Sequence, residues 1–291
     1  GAGASGASNS LSMALIGVGH LVGLSVGIAM AVGMLVTWAG LVPILTAMHG
    51  ASGDIAALVD DTFRNDVRFI GAGTIGVAAL WSLLRILGPI IRGIRAAMAT
   101  ADARKSGQAL ELTERDLPIS IVGGTILALL LPIAGLLWVF AADTAIADGI
   151  APVILGTLVY VLVIGVVIAS VCGYMAGLIG ASNSPVSGVG ILAVLGAALL
   201  LVLAYGRGGT VEQTQALIAY AIFTTGIVFS IATISNDNLQ DLKTGQLVGA
   251  TPWKQQVALV IGVVFGSLVI PPVLDLLNAA FGFSGAPNAG P

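Results

Sequence analysis

The first charged side chain in this sequence is Asp54: between Gly1 and Gly53 there is no Asp, Glu, Lys or Arg. A helix needs about 20 predominantly apolar residues to cross the hydrocarbon of a bilayer, so this opening stretch has room for two crossings, read as Leu11 to Ala31 and Gly33 to Met48. The pattern recurs at Phe69 to Ile91, Pro118 to Phe140, Pro152 to Met175, Val189 to Tyr205, Ala216 to Ile234 and Val257 to Ala280. These are continuous apolar runs, whereas a membrane barrel would show alternating segments of about ten residues. The expected fold is therefore all-α, a polytopic transmembrane helical bundle of about eight spans. Composition agrees. Only 9% of residues are charged, against about 25% in ordinary soluble domains, which excludes a soluble protein, a disordered chain and a coiled coil. A net charge of -3 offers no basic surface for nucleic acid. The 40 glycines lie within apolar runs and without a collagen period, as expected of closely packed membrane helices. Cys172, the single cysteine, reads as packing.

Sidedness follows from the basic residues. Arg85, Arg92, Arg95, Arg104, Lys105 and Arg115 are six of the 11 Lys and Arg, and they cluster between the third and fourth spans. Residues 92–117 are accordingly expected to be a cytoplasmic basic loop. Counting onward places Asp143 to Asp148 outside and Ser235 to Gln256 inside. Counting backward places Gly50 to Arg68 outside despite its Arg64 and Arg68, a mild conflict.

A repeat organises the spans. Ala2 to Ser10 (AGASGASNS) and Ala176 to Ser184 (AGLIGASNS) share seven of nine residues at an offset of 174. After each copy come two apolar spans, a polar loop and a further span, with the junction Phe69 to Ala72 expected to match Leu247 to Ala250. We therefore expect two repeats, residues 1–175 and 176–291. Five crossings between the copies would put them on opposite sides, an inverted-topology repeat of the kind found in secondary transporters. The absence of an initiator methionine and the loop-like ending SGAPNAGP lead us to expect a piece of a longer protein, with repeat one lacking its first helix and repeat two about two spans.

Three features could carry chemistry. Each GASNS copy sets polar side chains in apolar surroundings, and Pro185 after the second removes a backbone donor and disfavours helix before it. Irregular backbone at membrane depth is tolerated only against protein or a water-filled cavity. Ser8, Asn9, Ser10, Ser182, Asn183, Ser184 and Ser187 are thus substrate-contacting candidates on broken or re-entrant elements; the alternative is a pair of helix N-caps at the membrane surface. His20, an ionisable group within the first apolar run, is a candidate for proton coupling, or a neutral imidazole bonded to a neighbouring helix within the Gly19, Gly23, Gly27 series. In Ser235 to Gln256, Asp237 or Asp241 could bind a coupling cation at a half-helix end with Lys243 as charge partner; otherwise this is a solvated turn. Gly71 to Gly76 matches GxGxxG but opens a membrane span, so close helix packing explains it better than a dinucleotide. No metal-ligand set, cofactor motif or catalytic motif is visible, and an enzyme is not expected.

The segments CGYMAGLIGASNSPVSGVGI (Cys172 to Ile191), NDNLQDLKTGQLVGATPWKQQ (Asn236 to Gln256) and RFIGAGTIGVAALWSLLR (Arg68 to Arg85) resemble the bacterial branch of the oligopeptide transporter (OPT) family, related to yellow-stripe-like metal-chelate transporters. The resemblance implies a protein about twice this length, with about 16 spans, in the bacterial inner membrane. It also implies secondary active uptake of small peptides or peptide-like metal chelates, with protons as coupling ion. A homo-oligomer is compatible with it, and the only other partner implied is the lipid bilayer. The site residues above rest on the physical argument alone. A channel or passive pore for small solutes is the alternative, and a membrane-embedded enzyme a weaker one.

Overall fold

The computed structural model describes residues 3–6, 12–49, 53–105, 111–179, 186–207 and 209–282. All regular structure among them is helical. The order is α1 (Met13–Val22), α2 (Leu24–Leu35), a π-helical turn (Val36–Leu41), α3 (Val42–His49), α4 (Ile55–Thr62), a second π-helical turn (Phe63–Val67), α5 (Arg68–Lys105), α6 (Ile119–Ala142), α7 (Ile150–Ile179), α8 (Val186–Tyr205), α9 (Val211–Leu247) and α10 (Pro252–Phe281). Among the described residues seven helical segments are long and apolar enough to cross a membrane. In lipid every backbone N–H and C=O needs a partner within its own segment, and helices supply it. The polytopic all-α bundle expected from the apolar runs is the one observed.

α7, α8 and α9 form the centre. Their seam buries Val161, Ile168, Cys172, Val189, Ala193, Val228 and Ala232. Toward one end Leu137, Ile146, Leu201 and Tyr220 continue it. Lipid offers no hydrophobic gain for helix association, so close approach of small residues decides which helices meet. α8 shows this in three directions. A Cβ at Gly188 would lie 2.6 Å from Ala79 Cβ of α5, one at Gly190 2.7 Å from Phe229 of α9, and one at Gly196 2.6 Å from the Tyr160 hydroxyl of α7. That hydroxyl donates to Ala193 O at 2.7 Å. On α7, Gly173 gives way to Ser235 and Leu239 of α9, and the Ser235 hydroxyl donates to Ala169 O at 2.6 Å.

The two ends of the bundle sort as the sidedness count requires. Tyr205 Oη donates to Ile146 O at 3.1 Å, which joins the α8–α9 turn to the α6–α7 turn. At the other end the connector before α6 is tied to the start of α10. Trp253 N donates to Arg115 O at 3.1 Å, Gln256 Nε2 donates to Asp116 Oδ1 at 3.1 Å, and Leu117 N donates to Gln256 Oε1 at 3.3 Å. The basic segment and the Ser235–Gln256 segment therefore share one end.

Several local expectations are corrected. The first apolar run breaks at Gly23, where φ is 85°, and not between Ala31 and Gly33; from Leu24 to His49 the helix is continuous through the π turn. Gly23 thus ends a helix rather than packing one, and Gly19 and Gly27 meet nothing within 4 Å among the described residues. Residues 92–105, expected as part of a loop, are the last turns of α5. Ser235 to Leu247, expected as a loop, belongs to α9, and only Val248 to Thr251 turns. The reason is length: 37 residues make a helix of about 55 Å, so the polar end leaves a hydrocarbon layer of about 30 Å without leaving the helix. The Phe69–Ala72 and Leu247–Ala250 junctions do not match, because Gly71 lies inside α5 whereas Gly249 is a turn residue with φ 76°. Of the GxGxxG glycines, only at Gly76 would a Cβ come within 4 Å of another described residue, Ile191 at 3.7 Å.

Candidate functional site

Two places combine irregular backbone or a cavity with polar side chains. One lies at the start of the chain. Pro43 has no N–H, so the Trp38 carbonyl, which residue 43 would cap in a π-helical turn, is left without its helical donor. Ser5 Oγ donates to that carbonyl at 2.5 Å. Beside it the buried Thr46 hydroxyl receives Ala4 N at 3.0 Å and lies 3.1 Å from Ala4 O. A Cβ at Gly3 would overlap Pro43 O, so only glycine fits there. Gly3 to Gly6, within the Ala2–Ser10 copy, therefore runs as non-helical backbone pinned to α3 and the π turn before it. Trp38 and Phe63, one from each π turn, stack at 5.0 Å and close the knot over Val42, Val59 and Val67.

The second place lies where α9 meets α10. The stripe Asn238, Asp241, Thr244, Gly245, Val248 recurs at helical spacing and lines a cavity of about 500 Å³ with Gln255, Ala258 and Leu259 of α10. Gly245 sets the depth, since a Cβ there would overlap the Gln255 side-chain amide. Gln255 Oε1 is enclosed, with no hydrogen-bond partner among the described residues. The Thr244 hydroxyl spends its proton on Gln240 O at 3.0 Å, leaving its oxygen lone pairs. Lys243 Nζ bonds Gln246 Oε1 at 2.9 Å, so the lysine expected as charge partner for the aspartates is engaged elsewhere. Elsewhere on α9, Asn236 is buried with Oδ1 unpaired among the described residues, and the Tyr220 hydroxyl meets Thr157 Oγ1 at 3.2 Å while Thr224 Oγ1 is likewise unpaired among them.

Of the expected site residues, Ser8, Asn9, Ser10, Ser182, Asn183 and Ser184 lie outside the described residues. Ser187 sits exposed in the first turn of α8. His20 is exposed on α1, and neither it nor Asp237 lines the cavity. Asp241 does. Sequence reasoning passed over Gln255, Thr46 and Asp275. Asp275 is a carboxylate within the last apolar helix, three residues after the Pro271–Pro272 pair, and an ionisable group in an apolar span was its visible signal. Gln255 had none, because its role depends on a glycine ten residues earlier on another helix.

The chain is 43% identical over 286 residues to a Haemophilus influenzae protein named "Putative oligopeptide transporter", covering 94% of this chain and 44% of that protein. It therefore spans less than half the length of that relative. No solved structure matches it. The family model described as OPT oligopeptide transporter protein matches residues 6–291, and the chain belongs to that family.

Proposed function

We propose that this chain forms part of a secondary active transporter of the bacterial inner membrane that imports oligopeptides, or peptide-like metal chelates, by alternating access with protons as the coupling ion. Family membership over nearly the whole chain is the observation that carries this reading. The broken backbone supports it as well. Gly3 to Gly6 is non-helical and the helix breaks at Gly23. Ser8, Asn9, Ser10, Ser182, Asn183, Ser184 and Ser187 are the proposed substrate contacts, and His20 and Asp237 the proposed proton carriers. The end holding Arg115 and Lys254 is the cytoplasmic one by its basic residues.

Four full-length spans separate the two copies, and α1, ten residues or about 15 Å, adds a half-length fifth. An inverted repeat requires that α1 and the segment before it carry the chain across. A cysteine-accessibility map with both GASNS segments open to one compartment would exclude that.

The test of function is uptake by the full-length protein in proteoliposomes. Saturable accumulation of radiolabelled peptide that depends on an imposed proton gradient supports the transporter. Gradient-independent leak would instead make it a channel.

A further inference from the structure

α10 stands nearly free of the other described helices. It buries no residue, and its groove with α9 is formed by Gln255, Ala258 and Leu259 near its first turns. Farther along it carries polar groups that a helix in lipid cannot leave unmet. Pro271 and Pro272 have no N–H, so the Ser267 and Leu268 carbonyls lose the donors that an α-helix supplies four residues on. The Ser267 hydroxyl brings no relief, because it donates to Val264 O at 2.8 Å. Ser267 follows Val257, where the apolar run begins, by about 15 Å of helix, which is about half the thickness of the hydrocarbon. Two neighbouring acceptors thus lack helical donors at the middle of the layer, where only protein or water can meet them. About 12 Å farther on stands Asp275, exposed and without an ion pair among the described residues.

The missing donors and the carboxylate share a face. At about 100° per residue, Ser267, Pro271, Asp275 and Asn278 fall within an arc of about 80°, on the opposite side of α10 from Gln255, Ala258 and Leu259. α9 therefore cannot satisfy them. Exposed Val264, Leu268 and Leu274 flank the stripe, which suits a packed helix better than the wall of a water-filled path. A second copy docked through the same stripe would set Asp275 against Asp275, because a two-fold interface meets itself. More than half of the Haemophilus influenzae relative lies outside the part that this chain matches.

We propose that this stripe of α10 docks a membrane helix from the part of the full-length transporter outside these 291 residues, with hydroxyl or amide donors opposite Ser267 and a basic side chain opposite Asp275. Ser, Thr, Asn or Gln can donate to a carbonyl that has lost its helical partner, and a carboxylate withdrawn from water calls for a cation beside it. The pairing holds whether or not the protein moves peptides, so uptake is not its readout.

The experiment places a benzophenone amino acid at Ser267 and, separately, at Leu274 of the full-length protein in proteoliposomes, and identifies the photo-crosslinked peptides by mass spectrometry. Both positions are expected to capture one apolar segment of the same molecule outside residues 1–291, with Lys, Arg or His within a turn of the residue captured from Leu274. Crosslinks confined to lipid, to a second copy or to residues 1–291 would overturn the docking, and so would a captured segment with no basic residue at that level. Ser267→Cys in a cysteine-free background should resist a membrane-impermeant thiosulfonate added from either side; its modification would make the stripe the wall of a water-filled path and overturn the docking too. For the pair itself, Asp275→Asn alone and replacement of the basic residue by Gln alone should each lower the unfolding midpoint in nanodiscs, and the two together should restore most of the loss. Simple addition of the two losses would remove the pair.

Discussion

The two GASNS copies open regions that hold together by different means. In the second, α8 leaves the copy and at once meets three helices through Gly188, Gly190 and Gly196, with the side chains of α5, α9 and α7 in the space a Cβ would occupy. In the first, Gly17, Gly19, Gly27 and Gly33 meet nothing within 4 Å among the described residues, and α2 buries no residue. That region is held instead by polar detail: one threonine hydroxyl and one serine hydroxyl pin a non-helical segment to a helix that a proline has loosened. The lesson is that a glycine in a membrane helix is a packing element only where a partner helix occupies the vacated volume.

The comparison can be broken most severely in the centre. Gly173→Leu would drive a side chain into Ser235 and Leu239, and we expect a loss of about 3 kcal/mol, read as lost monodispersity and a lower unfolding midpoint in detergent. Next comes the polar knot. Thr46→Val leaves the Ala4 amide without its acceptor and should cost about 1–3 kcal/mol, with hydrogen exchange at Ala4 accelerated while α7–α9 stays protected. Tyr220→Phe removes one 3.2 Å bond inside the centre and should cost about 0.5–1.5 kcal/mol by the same unfolding measurement. The smallest effect is expected at Gly124→Leu on α6, near zero, because a Cβ there meets nothing within 4 Å among the described residues. A loss there as large as at Gly173 would show that another protein surface covers α6 in the membrane.

Much of the fold was legible because hydropathy is a local property. The absence of charge before Asp54, the basic cluster from Arg85 to Arg115 and the length of each apolar run led to helices, to their approximate limits and to the correct pairing of ends. The limits failed where polar residues were taken to end a helix. Ser235 to Leu247 is polar because it projects past the hydrocarbon, and nothing in Asn, Asp, Gln or Lys forbids helix there. The break at Gly23 was also misplaced, because a glycine that reverses the backbone and one that receives a neighbour look alike in sequence.

The candidate site was half visible. Asp241 could be singled out because it is one of few ionisable residues in the chain and follows directly on an apolar run. Its cavity could not, since Gly245 and Gln255 meet only after the chain turns at Gly249 and α10 folds back along α9. By itself the sequence determined that this chain is a set of membrane helices with a defined pairing of ends, because each helix in lipid satisfies its own backbone and its side chains set its depth. Only the tertiary structure decided which glycines are contacts, which hydroxyls replace missing backbone donors and which acceptors share one hollow. Those depend on atoms brought together from distant parts of the chain, and no periodicity along it encodes their meeting.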